Sequence, residues 1–122
     1  MVSLVVIVIM GLGMNLITFS LFGDNPLYCQ GAVENANIAR VIYPEWTARF
    51  YVAQDVPEKY IEEIEDYGAE VVRCEKKNSY DGLNWRFRPL HDPDVEYWIS
   101  RDADSRLSWR ERNAVDEWME SD

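Results

Sequence analysis

The chain has 122 residues, 48% hydrophobic and 13% aromatic, which suits a single globular domain with an ordinary core. Its net charge of -10 excludes a general affinity for nucleic acid or anionic membrane, because both are held by a basic surface. The basic residues are unevenly spread, however: Arg86, Arg88, Arg101, Arg106, Arg110 and Arg112 are half of the 12 Lys and Arg. One arginine-rich zone on an acidic protein fits a small phosphorylated ligand better than a long polyanion.

The first stretch, "MVSLVVIVIMGLGMNLITFSLF", is apolar almost throughout. A secretory leader or membrane anchor wants a basic flank, and no Lys or Arg precedes Arg40. Gly11, Gly13, Asn15, Thr18 and Ser20 also interrupt the run. A membrane anchor is therefore not expected, and a cytoplasmic location is. Residues 1–14 read as an N-terminal extension: a translated leader, a frayed strand or a misassigned start. The domain proper is expected to span 15–122.

From there the chain alternates strand and helix signals. "LITFSLF" (16–22) is a buried strand, and "GDNP" turns it into a helix with Asn25 as N-cap and Pro26 in the first turn. Tyr28, Ala32, Ala36, Ala39 and Tyr43 repeat at helical spacing as far as Pro44. "ARFYVA" (48–53) is a second strand. Asp55 and Glu58 make a capping-box pattern before a helix carrying Ile61, Ile64 and Tyr67, which Gly68 closes. "AEVVRC" (69–74) is a third strand, "LNWRF" a short helix, and "VEYWIS" (95–100) a fourth strand. Ser108 and Glu111 form another capping box before a last helix with Ala114, Val115, Trp118 and Met119.

The pattern β-α-β-α-β-α-β-α implies an α/β fold, Rossmann-like, with a mostly parallel sheet and helices on both faces. The fourth strand is expected to have an open edge, with more chain normally following. Cys29 and Cys74 lack metal-ligand spacing and read as reduced, buried thiols, and His91 in "HDPD" reads as a turn residue.

The chemistry concentrates in "VEYWISRDADSRLS" (95–108), a strand ending on Asp102 and Asp104 inside a collar of arginines. Ligands of open parallel sheets bind beyond the carboxyl ends of the strands, where strand order reverses. With strand order 3-2-1-4, the loop after the first strand (Gly23, Asp24, Asn25) would face the loop after the fourth. Two carboxylates suit Mn²⁺ or Mg²⁺ shared with phosphate oxygens, and arginine pairs with phosphate bidentately.

These residues resemble a family. "SLFGDNPLYCQGAVENANIARVIYPEW", "RFYV", "GAEVV", "NWRF" and "DPDVEYWISRDADSRLSWRERNAVDEWMES" together look like the N-terminal half of GT-A-type glycosyltransferase-like proteins of bacteria and large viruses. The resemblance implies an enzyme whose D-x-D aspartates, matched by Asp102 and Asp104, bind Mn²⁺ or Mg²⁺ and the diphosphate of a UDP- or GDP-linked sugar. It assigns Gly23, Asp24 and Asn25 to the nucleoside and Arg86, or equally Arg88, to the donor sugar or phosphate. Arg101 and Arg106 flank the motif as donor ligands. The acceptor, a carbohydrate or glycan, would be met by a C-terminal half absent from residues 15–122, as would the catalytic base.

Other readings compete. "MGLGMNL" echoes a dinucleotide fingerprint, but Leu16 stands where the third glycine belongs. A calcium loop over "DADSRLSWRERN" fails at Leu107 and Asn113. A haloacid-dehalogenase-type phosphatase also ends a strand on D-x-D, with the first aspartate as nucleophile, but normally on the first strand of the domain. A non-catalytic interaction module would instead expose some of Trp46, Trp85, Trp98, Trp109 and Trp118.

Overall fold

A computed structural model describes residues 5–8, 14–75, 95–102 and 106–120. The strands are β1 (Val5–Val8), β2 (Met14–Leu21), β3 (Thr47–Ala53), β4 (Glu70–Cys74) and β5 (Val95–Asp102). The helices are α1 (Pro26–Ile42), α2 (Glu58–Asp66) and α3 (Trp109–Glu120). They form one α/β unit whose sheet runs β1-β5-β2-β3-β4. β5, β2, β3 and β4 are parallel, in the order expected from the sequence, and β1 alone is antiparallel.

The N-terminal stretch contributes more than an extension. Val5–Val8 pairs with Tyr97–Ser100, so β5 is an interior strand and the edge expected to be open is covered. β2 likewise begins at Met14, two residues ahead of the "LITFSLF" run. The signal was local, four β-branched residues in "VVIV", but the partner strand lies far along the chain.

Alternation along the strands sorts side chains between two faces. Ile17, Phe19 and Leu21 of β2, Phe50 and Val52 of β3, and Ile99 of β5 share one core with Cys29, Ala32, Ala36 and Ala39 of α1, Ile61 and Ile64 of α2, and Val115 of α3. All three described helices thus gather on that face. Within it Phe19 stacks on Phe50, with ring centroids 4.5 Å apart. The opposite face is buried too, at Leu16, Thr18, Tyr51, Trp98 and Ser100. The expected helix at "LNWRF" lies outside the described residues.

Local chemistry sets most helix ends. Asn25 Oδ1 accepts the Leu27 N–H at 3.0 Å with Pro26 in the first turn, and α1 stops at Tyr43, before Pro44. Gly68, at φ +89°, lets the chain leave α2 in the left-handed conformation, where its N–H donates to the Glu65 carbonyl at 2.9 Å. The two expected capping boxes fare differently. At α2 the cap position is Pro57, with no side-chain hydrogen bond, so the Asp55–Glu58 box does not form. Asp55 is engaged elsewhere, and Glu58 pairs with Arg73 of β4. At α3 half the box forms: Ser108 Oγ accepts the Glu111 N–H at 3.3 Å, while the Glu111 carboxylate turns inward.

Because Phe50 is fully buried against Phe19 at the centre of the shared core, Phe50→Ala should cost roughly 3–5 kcal/mol. Urea denaturation followed by tryptophan fluorescence checks this; a loss under about 1 kcal/mol would mean that the site collapses without a cavity.

Candidate functional site

Strand order reverses between β2 and β5: the chain proceeds from β2 to β3 and β4 on one side and returns to place β5 on the other. The register sets Ser20 level with Asp102 and Phe19 level with Arg101. The strands are parallel, so the connections after β2 and β5 leave the sheet side by side at its carboxyl end. This is the position at which open α/β sheets hold their ligands.

The β2–α1 turn is built tightly. Gly23 sits at φ +83°, donates its N–H to Asp55 Oδ1 at 2.7 Å and accepts from the Cys29 Sγ at 3.6 Å. Burial pushes the Cys29 thiol up, and the negative charges of Asp24 and Asp55 push it further. Cys29 is thus a buried thiol, as its sequence reading implied, and it also closes the turn. Asn25 spends its side chain on the helix cap, while Asp24 is exposed. Asp55, read from sequence as a helix cap, instead latches this turn from the end of β3.

At the end of β5 the arginines part company. Arg101 is 1% exposed, with Nε 3.1 Å from Oε1 of Glu111, itself 7% exposed. The sequence reading had it as a phosphate ligand; in this structure its side chain lies buried against Glu111. Strand alternation puts Arg101 on the Ile99 face, under α3, where it answers a buried carboxylate. Burial raises the Glu111 carboxyl above its ordinary value, and Arg101 pulls it back only in part. Arg106 is partly exposed and donates through Nη2 to Glu34 Oε2 of α1 at 2.7 Å. The next residue, Leu107, donates its N–H to Asn35 Oδ1 at 3.0 Å, also on α1.

Arg112 fastens α3 to the far end of α1. It donates through Nη1 to the Ile42 carbonyl at 2.9 Å, pairs with Asp116 and Glu45, and lies 5.1 Å above the Tyr43 ring. A guanidinium at a helix C-terminus satisfies a carbonyl that has no intrahelical partner. Sequence reading grouped Arg112 with a phosphate collar, but it serves helix packing. Arg86, Arg88 and Asp104 lie outside the described residues, and for Asp102 the structure gives the backbone.

A groove of about 350 Å³ opens at the carboxyl ends of β3 and β4. Val52, Val56 and Ile61 give it an apolar floor, and Gln54, Glu58 and Arg73 line its rim. Among the described residues no group of three or more His, Cys, Asp or Glu is gathered to hold a metal ion, and no helix is long and apolar enough to cross a membrane. Of the described tryptophans, Trp46 and Trp98 are core, whereas Trp109 and Trp118 are exposed; Trp85 lies outside the described residues.

Sequence reasoning passed over Asn35 and gave Glu111 only a capping role. Asn35 did carry a signal, an amide among the apolar positions of a helix, which breaks the local pattern. No protein-family model matches this chain, and no curated protein matches it.

The Arg101–Glu111 pair generates a test. Glu111→Leu strands a buried guanidinium and should cost about 3–5 kcal/mol, whereas the double variant Arg101→Met/Glu111→Leu should recover most of that loss. Chemical denaturation of the three proteins measures it. Additive losses would show that the two side chains do not interact.

Proposed function

We propose that this chain binds a nucleotide-diphosphate sugar through a divalent cation and serves transfer of the sugar to a carbohydrate or glycan acceptor, in the manner of GT-A-type glycosyltransferases. One observation carries the reading: an aspartate ends an interior parallel strand at the switch point of the sheet, level with Ser20 on the neighbouring strand. That is where a cation shared with a phosphate would be expected.

The donor set agrees with the ion. Asp102 and Asp104 offer only carboxylate oxygens, which suit Mg²⁺ or Mn²⁺ and not a thiol-seeking metal. These two residues would hold it. When bound, it would supply charge neutralisation on the departing diphosphate.

The chain's own residues do the rest. Gly23 and Asp55 fix the path of the β2–α1 turn, and Asn25 caps α1, so the nucleoside-facing loop is preorganised. Arg106, adjoining the motif and held to Glu34 at the surface, supplies positive charge toward the phosphates. Arg86, or equally Arg88, keeps its assignment to the donor sugar or phosphate. Strands lie roughly 4.8 Å apart, so the end of β3 falls about 10 Å from that of β5. A nucleoside diphosphate spans such a gap, which makes the groove beside Gln54 a fitting seat for its ribose or base.

Titration calorimetry of UDP- and GDP-sugars with and without Mn²⁺ tests the reading. Binding by at least one donor should require the ion, and Asp104→Asn should abolish it while leaving the thermal midpoint unchanged or slightly raised. No metal-dependent binding by any donor would count decisively against the proposal. Unfolding of Asp104→Asn would make the pair structural.

A further inference from the structure

The middle of α1 contains a fully buried asparagine, Asn35, in the company of Ala32, Val33, Ala36 and Ala39. Such a position is costly twice over: asparagine is a weak helix former, and its amide must be taken out of water. Helix α1 gains nothing from it locally. What Asn35 does is reach across to another element: its Oδ1 accepts the N–H of Leu107, 72 residues away, at 3.0 Å.

Leu107 lies three positions beyond Asp104 and five beyond Asp102, and its own side chain is buried. The residue before it, Arg106, is tied to the residue before Asn35, Glu34. Two consecutive residues of α1 therefore grip two consecutive residues of the segment that leaves the aspartates. On the strand side, Arg101 is fixed by Glu111 of α3. The described residues on either side of the D-x-D motif, Arg101 before it and Arg106 and Leu107 after it, are thus each held against a helix.

Helix α1 also begins at the Gly23–Asn25 turn, where its N-cap is Asn25. One stiff element consequently references both sides of the crevice: its start sets the loop after β2, and its middle sets the chain after β5.

We infer that Asn35 is a positioning residue for the cation site, acting through the Leu107 backbone, with Glu34 as its surface partner. The inference rests on the donor-site reading for its ligand, but the anchoring itself is independent of that reading. Metal ligands must be held to a fraction of an ångström, and groups that orient them typically change affinity by ten- to a hundredfold when removed. A purely structural asparagine would lower thermal stability without touching affinity.

The experiment uses the full chain, with amide hydrogen exchange at Leu107 and calorimetric titration of UDP- and GDP-sugars with Mn²⁺. Asn35→Ala should speed Leu107 exchange at least tenfold and weaken Mn²⁺-dependent donor binding about tenfold. Asn35→Asp keeps an acceptor oxygen and should restore most of the Leu107 protection. Ile64→Val, in the α2 core, serves as a control that loses stability but leaves both readouts unchanged. Should Asn35→Ala fail to fold, Glu34→Ala, a surface change, should still weaken binding two- to threefold.

Unchanged Leu107 exchange in Asn35→Ala overturns the anchoring, and faster exchange with undiminished donor binding overturns the positioning role. If the unaltered protein binds no donor, the donor-site reading falls, and the anchoring is judged on Leu107 exchange alone.

Discussion

Because β5 hydrogen-bonds to β2 across most of the sequence, the two connections that leave their carboxyl ends become neighbours, and the candidate site depends on that pairing. Its register is fixed by more than the backbone ladder. Trp98 and Thr18 are both fully buried, and the indole Nε1 donates to the threonine hydroxyl at 2.7 Å. A slip of one residue would turn Trp98 to the wrong face and break that bond, a double cost that leaves little freedom. It would also move Asp102 out of line with Ser20. The alignment of the candidate ligands is thus inherited from a packing decision made four residues earlier on the strand.

Around this pairing the polar groups are arranged so that α1 does most of the holding. Glu34 and Asn35 hold the segment after β5, and the last turn of α1 takes Arg112 from α3. The acidic surplus of the chain is partly spent on these arginines. The described arginines that looked like a phosphate collar are divided between buried packing and the surface. Arg101 and Arg112 bind helices to the sheet or to each other, while Arg106 remains partly exposed. A cluster of arginines in sequence is therefore a weaker sign of an anion site than its density suggests, since helix packing in an acidic protein draws on the same residues.

What the sequence disclosed was whatever depends on near neighbours or on period. Asn25 with Pro26, and Gly68, act within a few residues, and both were legible. The alternating pattern disclosed the four parallel strands, and the order 3-2-1-4 supposed for them is the one observed. Missed features have partners that no local pattern reveals. Asp55 looks like a cap but answers Gly23, 32 residues back, and Glu111 looks like a cap but answers a buried arginine on β5. β1 has a strand's composition, yet its partner, β5, lies far along the chain. Of the candidate site, Asp102 closes β5 at the carboxyl end of the sheet, Arg101 is buried against Glu111, and Arg86 and Asp104 lie outside the described residues.

The place of β5 between β1 and β2 has a consequence for how the chain is made. β1 and β5 are direct neighbours, so this sheet cannot close until the chain as far as Asp102 has left the ribosome. Until then the "VVIV" segment has no mate, and one flank of β2 offers bare amides and carbonyls to any passing strand. Topologies dominated by such distant pairings form slowly and are prone to intermolecular association while they wait. The interval between the synthesis of β2 and that of β5 is therefore when this chain is most open to pairing with another molecule.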